Sequence, residues 1–345
     1  MMKIVAYLKN LLAIPSPTGF TQDVVTYLVE TLENLGLQPQ VSPKGNVLVT
    51  LKGKEEGPAR LLTAHVDTLG AMVRAVKPDG RLKLDRVGGF PWNMIEGENC
   101  LVHLADGSTV SGTILLHQTS THVYKDAGTL ERSQDNMEVR LDAKVTKAEE
   151  TQALGIQIGD FVSFDPRTQV TETGFVKSRF LDDKASVAIL LALLEQIQSE
   201  GIQLPVTTHF MFSTFEEVGH GANSSIPDQV VEYLAVDMGA MGDDQATDEY
   251  TVSICSKDAT GPYHYGFRRQ LEALAQEFDI PYRIDIYPFY GSDASAAMRA
   301  GWEVRHALIG PGIESSHSYE RTHVDSLTAT FDLIFRYLQS PLMEG

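Results

Sequence analysis

Cysteine is scarce in this chain. The two present in 345 residues, Cys100 and Cys255, lie far apart. That excludes a disulfide framework and a Cys-based zinc site, and it suits a reducing compartment. Positive charge is scarce too: 28 Lys and Arg face 46 Asp and Glu, for a formal net charge of −18. Nucleic acid and anionic membrane surfaces are excluded as partners, because both demand a basic footprint. The same imbalance leaves any cluster of acids with little positive charge to lean on. No apolar run approaches the ~20 residues of a membrane span. The opening "MMKIVAYLKNLLAIPSP" is interrupted by Lys9 and Asn10 and has no small-residue cleavage site. It predicts an amphipathic first helix in place of a signal peptide, and a cytoplasmic protein. Repeats, low-complexity tracts and linkers are also missing.

What is present reads as an α/β protein with an all-β insertion. The length allows two domains and a large core, and 43% hydrophobic with 21% charged residues is ordinary for a globular chain. Residues 21–35, "TQDVVTYLVETLENL", put Val24, Val25, Leu28, Leu32 and Leu35 on one helical face, with Gly36 as the stop. Strands "GNVLVTLKG" and "ARLLTAHVDTLG" follow. From about Met72 to Asp165 short β-rich runs alternate with the turn signals "PDG", "GG" and "DG", which predicts a small barrel or sandwich. The expected division is therefore residues 1–71 with 166–345 as the main α/β domain, and 72–165 as the insert. After the insert, "DDKASVAILLALLEQIQ" is apolar nearly all round and predicts a buried helix. Strands "VTTHFMFSTF", "VVEYLAVD", "YRIDIYPF" and "EVRHALI" come next, with helices in "RRQLEALAQEF" and "DSLTATFDLIFRYLQ".

The chemically capable residues fall at the ends of these strands. One strand runs into His65, another into Glu216 and Glu217, a third into Asp237. "EVRHALI" leads through an expected Gly-Pro-Gly turn into "ESSHSYERTH", and Asp182 with Asp183 stand where a loop enters a helix. Ligands of open α/β sheets bind at the carboxyl ends of strands. Singly, each feature has an ordinary explanation: "HVD" as a surface turn, Asp182 as a helix cap, the glutamates as a solvated strand end, Asp237 as the first residue of a loop. His317 and His323 singly read as structural, and the other seven histidines outside His65 are assigned no role. Asp293 in "GSDA" either lines a pocket at a strand end or sits in a structural turn. Together, two histidines and three or four carboxylates at one rim would repel severely without a cation. An oxygen and nitrogen donor set without thiolate suits zinc, cobalt or manganese. Five good candidates exceed the four ligands of one tetrahedral site, so two ions are better supported than one.

"TAHVDTLGAM", "RFLDDKAS", "FSTFEEVGHGA", "AVDMGA", "YGSDASAAMRAG" and "SSHSYERTHVDSL", in this order, resemble the glutamyl/TET-type aminopeptidases among the co-catalytic dinuclear metallopeptidases. "GFTQDVV", "DTLGAMV" and "SYERTH" are similar to a bacterial subgroup associated with the osmoprotectant N-acetylglutaminylglutamine amide. The resemblance covers essentially the whole chain. It implies a mixed-sheet phosphorylase/hydrolase-like catalytic domain with helices on both faces and a β insert that serves oligomerisation, as a dimer or a dodecamer. It also implies two divalent ions: His65 and Asp237 on one, Glu217 and a C-terminal histidine on the other, Asp182 bridging, and a cis bond between the paired aspartates. Asp67 would support His65, and Glu216 would be the general base. The family run is His-Ser-Pro-x-Glu after Arg-Tyr; "HSYE" is one residue shorter and lacks the proline. His317 aligns best through His-Ser and the "DSL" helix start, with His323 as the alternative. The implied activity is hydrolysis of N-terminal residues from short peptides. The competing expectations are a deacylase or amidase acting on a small peptide-like metabolite, a glycoside hydrolase, and a non-catalytic scaffold.

Overall fold

The computed structural model describes residues 2–343. Its largest element is a mixed sheet ordered Gln40–Val41, Val47–Leu51, Val206–Ser213, Glu55–His65, Val230–Val236, Arg305–Ile313, Val252–Asp258, Gly261–Pro262. Tyr282–Ile286 adds to Val252–Asp258, and Gly239–Ala240 pairs with Arg305–Ile313. The four central strands, Val206–Ser213, Glu55–His65, Val230–Val236 and Arg305–Ile313, are parallel to one another. Their carboxyl ends therefore share one rim.

Alternation along these strands explains why the sheet is covered on both sides. Leu62, Phe210, Phe212, Leu234 and Ile309 enter one buried cluster, together with the helices Met2–Leu12, Gln22–Asn34, Leu181–Glu200 and Val324–Gln339. The interleaved Leu61, Met211, Tyr233, Ala235 and Leu308 enter a second, with Ala294 and Ala297 of the helix Asp293–Arg299. The helix Leu181–Glu200 is buried over most of its length, as its all-round apolar sequence predicts. Of the predicted face of Gln22–Asn34, Val24, Leu28 and Leu32 are buried. Among the described residues no helix is long and apolar enough to cross a membrane.

Six antiparallel strands close into a barrel in the order Gly70–Val76, Leu82–Val87, Met137–Leu141, Thr109–Leu116, Asn99–His103, Phe161–Phe164. They occupy the stretch where short β runs were expected. One six-residue helix, Ala148–Ala153, interrupts them. A three-stranded sheet, Gln169–Val170, Phe175–Ser178 and Glu320–His323, brings the C-terminal segment beside the residues that precede Asp182.

The Gly-Pro-Gly segment is not a turn. The strand Arg305–Ile313 runs straight through it. A Cβ at Gly310 would lie 1.8 Å from the Asp237 carbonyl oxygen, and one at Gly312 would lie 2.0 Å from that of Asp248. The glycines are there because neighbouring backbone comes too close for any side chain.

Candidate metal centre

The side chains that meet here are delivered by the ends of central strands or by segments packed against that rim. His65 is the last residue of its strand and is buried. Its Nδ1 lies 2.9 Å from the Asp67 carbonyl oxygen. A carbonyl only accepts, so Nδ1 carries the proton, and in the neutral ring Nε2 presents a lone pair. That nitrogen faces Asp182 Oδ1 at 3.1 Å. His317 repeats the arrangement: Nδ1 meets the Gly89 carbonyl at 2.5 Å, while Nε2 stands 3.3 Å from Asp182 Oδ2 and 3.6 Å from Glu217 Oε2. One carboxylate thus offers an oxygen to each of two imidazoles.

Asp182 does not cap its helix; both its oxygens are turned to the histidines. The bond between Asp182 and Asp183 is cis. The next residue, Lys184, points away and donates to the carbonyls of Leu11 and Ile14, fixing the end of the first helix, and burial pulls its ammonium down to about 7. Asp237 follows its strand directly; its Oδ1 accepts the Met238 N–H at 2.7 Å. His317 holds φ +64°, a left-handed conformation that costs a non-glycine residue roughly 1 kcal/mol.

The paired glutamates are not on a strand. Val206–Ser213 ends first, and Glu216–Val218 form one 3₁₀ turn closed by Gly219 at φ +84°. Asp67 explains the turn: its carboxylate accepts the N–H groups of Glu216 and Glu217 at 3.2 and 3.4 Å, and the Thr18 hydroxyl at 2.6 Å. Asp67 therefore supports His65 through its carbonyl, with its carboxylate 3.6 Å from Nδ1, and supports the glutamate turn through that carboxylate. The turn still sends the two side chains apart, with Glu216 Oε2 3.7 Å from His65 Nε2 and Glu217 beside His317. Asp293 neither ends a strand nor lines the cavity. It begins a helix, is buried, and accepts from Ser213 Oγ at 2.5 Å and Ala222 N–H at 2.7 Å.

His323 is not brought to the cluster. It caps the last helix through Asp325 N–H, its Nε2 meets the Thr173 carbonyl, and its ring packs on Phe175 and Tyr250. Two acids unassigned from sequence do belong to the site's surroundings. Glu320, buried, accepts Asp182 N–H at 3.1 Å and His317 N–H at 3.0 Å. It is the acid that closes "HSYE", so the motif held the signal. Asp183 accepts His65 N–H through Oδ2, while its buried Oδ1 has no hydrogen-bond partner among the described residues. His65, Asp183 and Asp237 offer one ligand atom each within 4.8 Å of one another, and so do His65, Asp182 and Glu217.

The electrostatics show what the cluster is short of. Burial opposes charge throughout. At His317 the Glu217 charge and the Asp182 hydrogen bond overcome it and raise the imidazole to about 11. Asp182 and nearby carboxylates likewise raise His65. Burial lifts Asp182, but the His317 and His65 hydrogen bonds outweigh it and hold the carboxyl far below its ordinary range. Burial, joined by neighbouring acids, raises Glu217 to about 8 and Asp237 to about 7, and raises Glu216 well above its usual value. With protons as the only counterions, Glu216, Glu217 and Asp237 drift toward neutral and the imidazoles toward charged. A divalent cation supplies that compensation directly, and the all-oxygen-and-nitrogen donor set fits one. The cluster opens into a cavity of about 800 Å³ whose walls include Met238, Phe289 and Tyr290.

Residues 45–333 match the model of the M42 glutamyl aminopeptidase family. The Bacillus subtilis (strain 168) protein named "Putative aminopeptidase YhfE" is 57% identical over 341 residues, covering 99% of either chain. Two solved structures share the fold. A TET aminopeptidase from a marine sediment Thaumarchaeota archaeon has a TM-score of 0.87 at 20% identity, covering 98% of this chain and 97% of that one. The Pyrococcus horikoshii TET1 peptidase, described as assembling into a tetrahedron or a large octahedral shell, has a TM-score of 0.86 at 22% identity, covering 98% and 100%. A family match over most of the length, together with a relative aligned end to end, makes this chain a hydrolase of the M42 glutamyl aminopeptidase family, whose members are metal-dependent.

Proposed function

We propose that the chain is a two-ion aminopeptidase that removes N-terminal residues from short peptides. His65 and Asp237 would hold one divalent ion, Glu217 and His317 the other, with Asp182 shared. Zinc or cobalt suits this set best, and manganese is compatible with it. The observation that carries the proposal is the meeting of two imidazole Nε2 atoms with the two oxygens of Asp182. When bound, such ions lower the pKa of water towards neutrality, polarise the scissile carbonyl and stabilise its developing negative charge. Glu216 takes the proton of the attacking water and passes it to the departing amine. Burial favours that role, since it raises the carboxyl's affinity for a proton. Asp67 keeps Glu216 in place through its backbone N–H. Carboxylates outnumber cations in the cavity lining, with Asp243 and Asp244 beside the cluster itself, which suits a substrate that arrives as a free α-ammonium.

Residues 72–165, the bulk of the barrel, are proposed as an inserted unit for homo-oligomerisation, with 1–71 and 166–345 as the catalytic domain. Exposed Val123, Tyr124, Leu154 and Ile158 within that stretch support an assembly role. The proposed form is a dimer-based homo-oligomer, up to a dodecamer; the Pyrococcus horikoshii TET1 peptidase, which assembles into a tetrahedron or a large octahedral shell, supports it.

The test is a panel of aminoacyl-anilides with zinc or cobalt added. Chelator should abolish cleavage, and re-added metal should restore it. Cleavage that survives chelation would contradict the proposal. A carboxylate-pair glycosidase, which needs no ion, would survive. Turnover of N-acyl or amide metabolites with none of the anilides would favour the deacylase instead.

A further inference from the structure

Tyr290 lies in the loop between the strand Tyr282–Ile286 and the helix Asp293–Arg299. Its place is set from several sides. Its carbonyl accepts the Ala259 N–H at 3.0 Å, and Ser292, two residues on, starts the helix with a reciprocal capping box. Its ring leans on Tyr287 with centroids 5.4 Å apart, and the Tyr287 hydroxyl is itself held by Thr247 and Ser253. The Tyr290 hydroxyl donates to the Met238 carbonyl at 2.9 Å, next to the Asp237 carboxylate. The N–H of the same Met238 donates to Asp237 Oδ1 at 2.7 Å. Met238 is thus gripped at both polar groups of its backbone, by Tyr290 on one and Asp237 on the other. Fixing Met238 fixes the Asp237 Oδ1 that its N–H holds, and the same Tyr290 hydroxyl lies within hydrogen-bonding reach of the Asp237 carboxylate itself.

We propose that Tyr290 is a positioning residue for the metal centre: through Met238 and its own approach to the carboxylate it orients Asp237, and so sets the affinity of the ion on the Asp237 side of Asp182 but not of the ion on the Glu217 side. The proposal rests on the two-ion reading above. Groups that orient a metal ligand are worth about 10–100-fold in affinity. Removing one hydroxyl should therefore split the two sites.

The experiment is a competition titration of the full chain with Zn²⁺ against a chelator, with bound zinc counted at each step. The wild-type chain should release its ions in two steps. Asp237→Asn identifies the step that depends on Asp237. Tyr290→Phe keeps the ring on Tyr287, and it should weaken that step by about 10–100-fold while leaving the other within about twofold. In the Asp237→Asn background it should add nothing, since both changes act through one carboxylate. Equal weakening of both sites, no change in either, or a Tyr290→Phe effect undiminished in the Asp237→Asn chain would overturn the proposal. A wild-type chain holding fewer than two ions removes the two-ion reading and this proposal with it. That failure shows before any Tyr290 variant is measured.

Discussion

Glu216→Gln is expected to lower kcat by about 10²–10⁴-fold, the usual contribution of a positioned general base, with the bound metal retained. Gln keeps the shape of Glu and can still hydrogen bond, so the 3₁₀ turn anchored on Asp67 should survive the change. What it loses is the capacity to accept a proton. The result discriminates between roles because Glu216 also lies 3.7 Å from His65 and is itself close to ligand distance. Kinetics on an aminoacyl-anilide, paired with metal analysis of the same sample, gives the answer. Loss of metal, with activity recovered at high zinc or cobalt, would make Glu216 a ligand and leave the base unassigned.

Asp182→Asn should strip both ions. A terminal ligand serves one ion, whereas Asp182 gives one oxygen to the His65 side and the other to the His317 side. Asn keeps one carbonyl oxygen but has no charge, and its NH₂ turns a donor toward one histidine or the other. Affinity at either position should therefore drop by more than the 100-fold or so lost with a supporting group. Metal analysis after dialysis measures it. Two ions still bound would refute the bridging role, and one retained ion would make Asp182 a ligand to the other alone. Loss of Glu320 should be milder, since it holds Asp182 and His317 through their N–H groups and leaves the donor set intact.

Much of this centre was legible in the sequence because its parts lie next to regular elements. His65 and Asp237 stand at the ends of apolar runs whose period is plain, and parallel strands put those ends at one rim. Glu216 and Glu217 do come to the rim, but in a turn and not at the end of a strand. The apolar run continues to Phe215, yet Asp67, far away in sequence, captures both amides and bends the chain into a turn. Periodicity cannot register a partner that is distant in sequence. Gly310-Pro311-Gly312 misled for the same reason. As a tripeptide it reads as a turn, while here the glycines answer to the close approach of Asp237 and Asp248. Asp183 carried no local signal to set it apart from a capping acid, and Glu320 was marked only by its place at the end of "HSYE". Only burial beside His65 and beneath His317 distinguishes them. "HS" and "DSL" favoured His317 over His323 without separating them; of the two, the fold brings only His317 beside Asp182.

Anomalous scattering from crystals of the chain soaked in zinc tests the whole account most directly. It should reveal two ions roughly 3.5–4 Å apart, the spacing of shared-ligand pairs, one toward His65 and one toward His317 with Asp182 between them. A single ion at saturating zinc, or two that leave Asp182 untouched, would contradict it.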